Sequence, residues 1–212
     1  MMRLLVVVLL MSHISYAQDS RIFMFLNNRP DKPELPKEEV DRIMKGHMDN
    51  INKMAAEGKL VAAGPFEGGG GIFIFNAKTN EEVMEWVKPD PGIQANRWRL
   101  EMFPFTSRTG SICKVSEPYE MVMYSFVRFS PTNKSVSENS NTLLQAHDEH
   151  MRKIAQMDGT VTEATFGAGG SIYVAKNEID KTLFEADPAV KAGLLQVEFK
   201  KLYIAKGSFC EK

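Results

Sequence analysis

Two hydrophobic periodicities alternate along the chain, and the same alternation occurs twice. Arg21-Ile22-Phe23-Met24-Phe25-Leu26 is an apolar, strand-like run, and Glu120 to Val127 repeats it about 100 positions later. Next, Ile43, Met44, His47, Ile51 and Met54 recur at three- and four-residue spacing, which places them on one face of a helix. Leu143, Leu144, His147, Met151 and Ile154 repeat that face, each shifted by 100. Pro36 can start the first helix, and Ser137 or Asn141 can cap the second. Gly58 and Gly159 read as the stops that follow.

Lys59-Leu60-Val61-Ala62-Ala63 supplies a second strand. A glycine run comes next in each half, Gly68–Gly71 and Gly167-Ala168-Gly169-Gly170, leading into Ile72-Phe73-Ile74-Phe75 and Ile172-Tyr173-Val174. A second helix is expected near Asn80 and near Asn177, followed by Asp90-Pro91 and Asp187-Pro188. The shift is now 97, so the second half has lost three residues in or before this helix. Closing strands alternate at period two: Trp98, Leu100, Met102 against Leu195, Val197, Phe199. Each half ends in a matched tail, Gly110-Ser111-Ile112-Cys113 and Gly207-Ser208-Phe209-Cys210.

A repeat of this length is a domain duplication rather than a solenoid. Each half reads β–α–β–β–α–β, the ferredoxin-like order. Helices cover only one face of such a sheet, and packing two sheets face to face buries the other. The expected fold is therefore α+β, with two ferredoxin-like units packed as an intramolecular pseudo-dimeric α+β barrel. The boundaries are 18–105 for repeat 1, 106–119 for the linker and 120–212 for repeat 2.

Residues 1–17 stand apart. Arg3 precedes the apolar run Leu4 to Met11, and Ser15-Tyr16-Ala17 forms a small-x-small site before polar Gln18-Asp19-Ser20. That is the form of a signal peptide cleaved after Ala17, implying a secreted or periplasmic protein. The run is far short of the ~20 residues that span a bilayer, so no membrane span is expected. Composition adds two exclusions. A 43% hydrophobic and 25% charged chain is neither disordered nor fibrous. Lys and Arg at 26 against Asp and Glu at 27 give no basic excess for nucleic acid.

His47-x3-Ile51-x2-Met54-x3-Gly58-x-Leu60, Ala63-Gly64-Pro65, Asp90-Pro91 and Glu101-Met102-Phe103-Pro104-Phe105 together resemble the YCII-related domain of the dimeric α+β barrel superfamily. The resemblance covers nearly all of repeat 1 and, more loosely, repeat 2. It implies an active-site pair of a helix histidine and the aspartate of the Asp-Pro step: His47 with Asp90, and His147 with Asp187 as second-copy candidates. It also implies a small organic, often aromatic or lactone, partner. Repeat 2 departs from the pattern, with Ala164-Thr165 where Gly64-Pro65 is matched and one extra residue before Gly159.

A carboxylate accepting from one ring nitrogen fixes the tautomer and leaves the other nitrogen as a base. A core histidine with a satisfied ring is the plainer use of the same residue. Arg97 and Arg99, placed together on the polar face of the closing strand, can hold a ligand carboxylate or simply face solvent beside Glu101. Gly68–Gly71 lacks a following Lys-Ser/Thr, so it reads as a hairpin connection rather than a phosphate loop. His147 and His150 are one helical turn apart, but no further ligand is legible; neither a metal nor a cofactor is expected. Cys113 and Cys210 are the only cysteines and occupy equivalent positions. An intrachain disulfide suits export, while free thiols or pairing between chains stay open.

Three functions compete. One is an exported lyase or isomerase using His47 and Asp90 for proton transfer on a small organic molecule. Another is a binding module holding such a ligand in the barrel. The third is a structural or assembly module, for which self-association of chains stays open.

Overall fold

The computed structural model describes residues 21–133 and 139–211. The signal-peptide reading of residues 1–17 falls outside them. The first half runs β1 (Arg21–Asn28), α1 (Lys37–Ala56), β2 (Leu60–Pro65), β3 (Gly71–Phe75), α2 (Asn80–Val87), α3 (Pro91–Gln94) and β4 (Trp98–Thr109). The second runs β5 (Met121–Pro131), α4 (Ser140–Ile154), β6 (Thr160–Thr165), a 3-10 turn (Gly167–Gly169), β7 (Ser171–Ala175), α5 (Lys181–Glu185), α6 (Pro188–Lys191) and β8 (Leu195–Ala205).

Local chemistry sets several of these boundaries, and some differ from the expectation. α1 follows Pro36, carries Glu38 and Glu39 in its first turn and Lys53 in its last, and so matches its own dipole. α4 begins at Ser140 with Asn139 before it and no side-chain cap bond; of the two expected caps, Asn141 lies inside the helix and Ser137 falls outside the described residues. α5 starts at Lys181, not near Asn177, because Asp180 accepts from Thr182 N–H at 3.0 Å and caps it there. It has five residues where α2 has eight, which accounts for the shift falling from 100 to 97. β4 runs through Thr109, so residues 106–109 of the expected linker are strand.

The eight strands form one antiparallel sheet in the order β2-β3-β1-β4-β6-β7-β5-β8. Each half contributes the ferredoxin-like order, with β1 between β3 and β4 and β5 between β7 and β8. The halves join where β4 pairs with β6 through Thr106↔Thr165 and Ser107↔Ala164. They meet again where β2 reaches β8: Phe66 bridges Leu202, and Glu67 N–H donates to Lys201 O at 2.9 Å. Both joins set the closing strand of one half against the second strand of the other. The fold is a pseudo-dimeric α+β barrel made by one chain.

Strand burial follows from that closure. In β1, Phe23 and Phe25 point into the barrel while Ile22, Met24 and Leu26 point to the helices. Burial on both faces explains why β1 reads as an unbroken apolar run rather than an alternating one. The barrel interior is packed with rings. Phe23 lies 5.1 Å from Phe166, and Phe66 lies 5.1 Å from Phe126, centre to centre. Side chains thus fill the space in which the binding-module reading set its ligand. Burying each such ring contributes about 1.5–3 kcal/mol.

Ile112 and Phe209 are buried against this same core and carry the two tails together. Cys113 N–H donates to Ser208 O at 2.9 Å, and Cys113 is disulfide-bonded to Cys210 with Cα atoms 5.1 Å apart. The bond closes a loop with a sequence separation of 97. Cys113→Ser with Cys210→Ser is expected to cost about 2–5 kcal/mol. Thermal melts of both forms, with and without reductant, check this; equal melting points would contradict it. Among the described residues no helix is long and apolar enough to cross a membrane.

Candidate functional site

His47 lies on the helix-covered side of the sheet, not inside the barrel. It reaches that layer because α1 presses close to α3. At Gly46 an added Cβ would come within 2.7 Å of Pro91 Cγ. Asp90 opens α3: its Oδ1 accepts from Gly92 N–H at 2.8 Å and Ile93 N–H at 3.2 Å. Asp followed by Pro is a sequence-level helix start, because proline at the first helical position forgoes only an N–H that has no helical partner. The same carboxylate takes His47 Nδ1, at 3.0 Å from Oδ1 and 2.9 Å from Oδ2, and Asn50 Nδ2 at 3.2 Å. Asp90 is fully buried and His47 is 6% exposed.

Burial pushes the Asp90 carboxyl up. The hydrogen bond and charge of His47, with the bonds from Ile93 N–H and Asn50, outweigh it and hold the group below the usual carboxylate range. Asp187 behaves alike: burial raises it, while His147 and the Val190 and Ala189 N–H groups bring it below that range. An ionised carboxylate only accepts, so the Nδ1 atom of His47 carries the proton and Nε2 carries the lone pair. Among the described residues no hydrogen-bond partner reaches His47 Nε2, and that atom is not sealed from solvent.

A carboxylate lowered in the folded state stabilises the fold above its unfolded pKa and loses that effect as pH falls through the folded value. Melting temperature is therefore expected to hold steady down to about pH 4, near the free aspartate value, and to fall below it. Asp90→Asn should flatten part of that fall. A melting profile with the same acid limb in the variant would count against the assignment.

Two rings flank His47. Phe73 stacks at 5.8 Å and Trp98 packs at 4.7 Å between ring centres. Trp98 fits because residue 92 is glycine; a Cβ there would meet Trp98 Cζ3 at 2.6 Å. Trp98 also lines an open cleft of about 660 Å³, with Asn28, Arg29, Ile93, Arg99 and Leu100; His47 is not in that lining. The two arginines part ways here. Arg99 lies at this cleft, 3.3 Å from Glu101 and largely exposed. Arg97 precedes the strand and donates to Pro33 O at 2.8 Å, tying down the loop after β1.

The second half repeats the pair and changes its surroundings. His147 Nδ1 lies 2.8 Å from Asp187 Oδ2, and Asp187 Oδ1 accepts from Ala189 and Val190 N–H. Here His147 Nε2 has a partner, Ser171 Oγ at 3.0 Å. Leu195 stands where Trp98 does. His150 is used elsewhere, donating from Nε2 to Leu183 O at 2.8 Å. No cluster of three or more His, Cys, Asp or Glu able to hold a metal occurs among the described residues.

Ser171 was missed for a specific reason. Matching the glycine runs end to end pairs Gly71 with Gly170. The strands pair them otherwise: Gly71 faces Leu26 of β1, and Ser171 faces Phe129 at the equivalent place in β5. Carrying the shift of 100 from Ile72 and Ile172 back by one residue would have found it. Arg128 was missed too. It takes the place in β5 that Phe25 takes in β1, lies 3.9 Å over the Phe25 ring, and pairs with Glu101 and Asn27 of the first half.

Comparison with known proteins places the first half. Residues 21–106 match the model of the YCII-related domain. The first half is a YCII-related domain. This domain contains His47, Asp90, Gly71 and Trp98, and the second half repeats its order of elements. No curated protein matches the chain. Among solved structures, the chain is similar to a Fusobacterium nucleatum protein named "Putative monooxygenase", at 12% identity over 88% of this chain and 92% of that one, TM-score 0.45. It is also similar to a protein named "Putative Chlorite dismutase", at 6% identity over 89% and 96%, TM-score 0.45.

Proposed function

We propose that the protein is an exported, small-molecule-binding barrel in which His47 acts as a proton-transfer base oriented by Asp90. The observation that carries the reading is the inequality of the two ring nitrogens. Nδ1 is held by a carboxylate with no acceptor capacity to spare, and Nε2 has no partner among the described residues. A base fixed in this way can take a proton from a bound carbon or hydroxyl acid and return it elsewhere, which is lyase or isomerase chemistry. The ligand site is the cleft lined by Trp98, Ile93 and Arg99; His47 is not in that lining, so a proton reaches Nε2 only when the Trp98 ring, packed 4.7 Å from His47, swings aside. Arg99 at the rim is the residue to receive a carboxylate, because its guanidinium matches that group's geometry. Export follows from the form of residues 1–17, and N-terminal sequencing of the secreted chain, starting at Gln18, would support it.

Trp98 supplies the test. A Trp86→Phe variant leaves Trp98 as the sole tryptophan. Titration with a panel of small aromatic carboxylates and lactones is expected to change its emission saturably, and Arg99→Ala is expected to weaken the carboxylates only. A ligand that binds and is returned unchanged after incubation would favour the non-catalytic binding module. No saturable change with any member of the panel would defeat the reading.

A further inference from the structure

The two His–Asp pairs have the same internal geometry and different neighbours. Besides Asn50, which bonds Asp90 while its match His150 bonds Leu183 O, and Phe73, matched by Tyr173, four positions distinguish them. Gly46 is matched by Ala146, Gly71 by Ser171, Gly92 by Ala189 and Trp98 by Leu195. In the first half, glycines let Pro91 and the Trp98 ring approach, and position 71 presents no side chain. In the second, position 171 presents a hydroxyl that is 1% exposed and 3.0 Å from the imidazole. Asp187 accepts from Nδ1–H, so Nε2 holds a lone pair and the Ser171 O–H donates to it.

We infer that Ser171 shuts the second site: it occupies the basic nitrogen of His147, so that this pair holds the fold together while position 71 leaves His47 open. The inference rests on reading His47 as the reactive copy. It makes the residue at 71 and 171 the determinant of whether a His–Asp pair is available, and gives the pseudo-dimer one working site per chain.

Serine, histidine and aspartate in this order are also the parts of an acyl-transfer triad, and the surroundings argue against that use. An acyl-transfer serine needs access and two or more spare N–H donors for the developing oxyanion. Ser171 lies within the sheet, with Phe129 paired on one side and Thr165 on the other. In the turn before it, Gly169 N–H is committed to Phe166 O and Gly170 N–H to Gly167 O. With its proton donated and its ring nitrogen covered, the trio is a closed hydrogen-bond chain.

The test uses the full chain and the reactivity of imidazole lone pairs. Diethyl pyrocarbonate acylates the unprotonated ring nitrogen, and peptide mass mapping reports each histidine separately. The expected result is labelling of His47 and protection of His147, with Ser171→Gly accelerating His147 labelling roughly three- to tenfold, the value of one hydrogen bond. Ser171→Ala keeps the Cβ and removes only the hydroxyl. In 15N spectra of the imidazoles it is expected to move the His147 Nε2 resonance and leave His47 unmoved, which covers the case in which the glycine variant folds poorly. Equal labelling of both histidines in the unaltered chain, or covalent capture of Ser171 by a fluorophosphonate, would overturn the inference. Should His147 open in Ser171→Gly while His47 stays unlabelled throughout, the gate stands and the proposed role of His47 falls.

Discussion

Asp90→Asn is expected to reverse the tautomer of His47 while leaving the fold in place. The carboxylate does two jobs with two oxygens. Oδ1 caps α3 through Gly92 and Ile93, and Oδ2 faces His47 Nδ1 and Asn50 Nδ2. Asparagine can keep its carbonyl on the cap. Its amide then donates to Nδ1, which must give up its proton to Nε2, and it meets the Asn50 amide donor to donor. The proposed base would be lost because its lone pair is spent. Turnover, where a substrate is in hand, should drop about 10²- to 10⁴-fold, the usual contribution of a positioned base. Stability should fall by only about 1–3 kcal/mol for the mismatched buried donor. 15N spectra of the His47 ring read the tautomer, and a thermal melt reads the fold. A lowered melt with the Nδ1–H tautomer retained would reduce the pair to packing.

How much of this was legible depends on what each residue's signal was tied to. The barrel was legible because its strands are buried on both faces and its helices on one, and burial writes a period into the chain. The disulfide was legible from equivalence, since Cys113 and Cys210 end matched tails. The adjacency of His47 and Asp90 could be suspected only because the residues around them resemble the YCII-related domain, which implies such a pair. Arg97 shows the limit. Period-two alternation extends smoothly through it, yet β4 starts at Trp98, and the guanidinium serves a loop carbonyl that no pattern announces. The filled barrel was illegible for a deeper reason. A strand apolar on both faces does not say which face meets helices and which meets the other sheet, so Phe23 and Met24 read alike. Ser171 and Arg128 differ from their counterparts by a single substitution each. Their meaning appears only when the strand register says what they replace.

Separating the halves should have the largest effect, and an unequal one. Residues 21–112 alone would expose Phe23, Phe25, Ile72, Ile74 and Phe105, all buried in the barrel. At about 1.5–3 kcal/mol each, the loss is of order 10 kcal/mol, as large as the whole stability of an ordinary domain. This fragment is expected to recover the loss by pairing with itself, β4 of one copy against β2 of the other, in the manner of the two joins in the intact chain. The second half is expected to do so less well. Arg128 stands at the position of Phe25 and packs over that ring, with Glu101 of the first half as its ion partner. Two copies of the second half would set Arg128 against Arg128 inside the barrel; Glu198 holds the place of Glu101, so an ion pair can form again, but each guanidinium loses the Phe25 ring it packs over and meets a like charge instead. Sedimentation of the separate fragments is therefore expected to give a dimer for the first, a weaker dimer or an aggregating chain for residues 119–212, and a one-to-one complex when they are mixed. Arg128→Phe should strengthen the pairing of the second half with itself. A folded monomer of the first half, or a dimer of the unaltered second half as tight as that of the first, would show that the barrel does not depend on the contacts described.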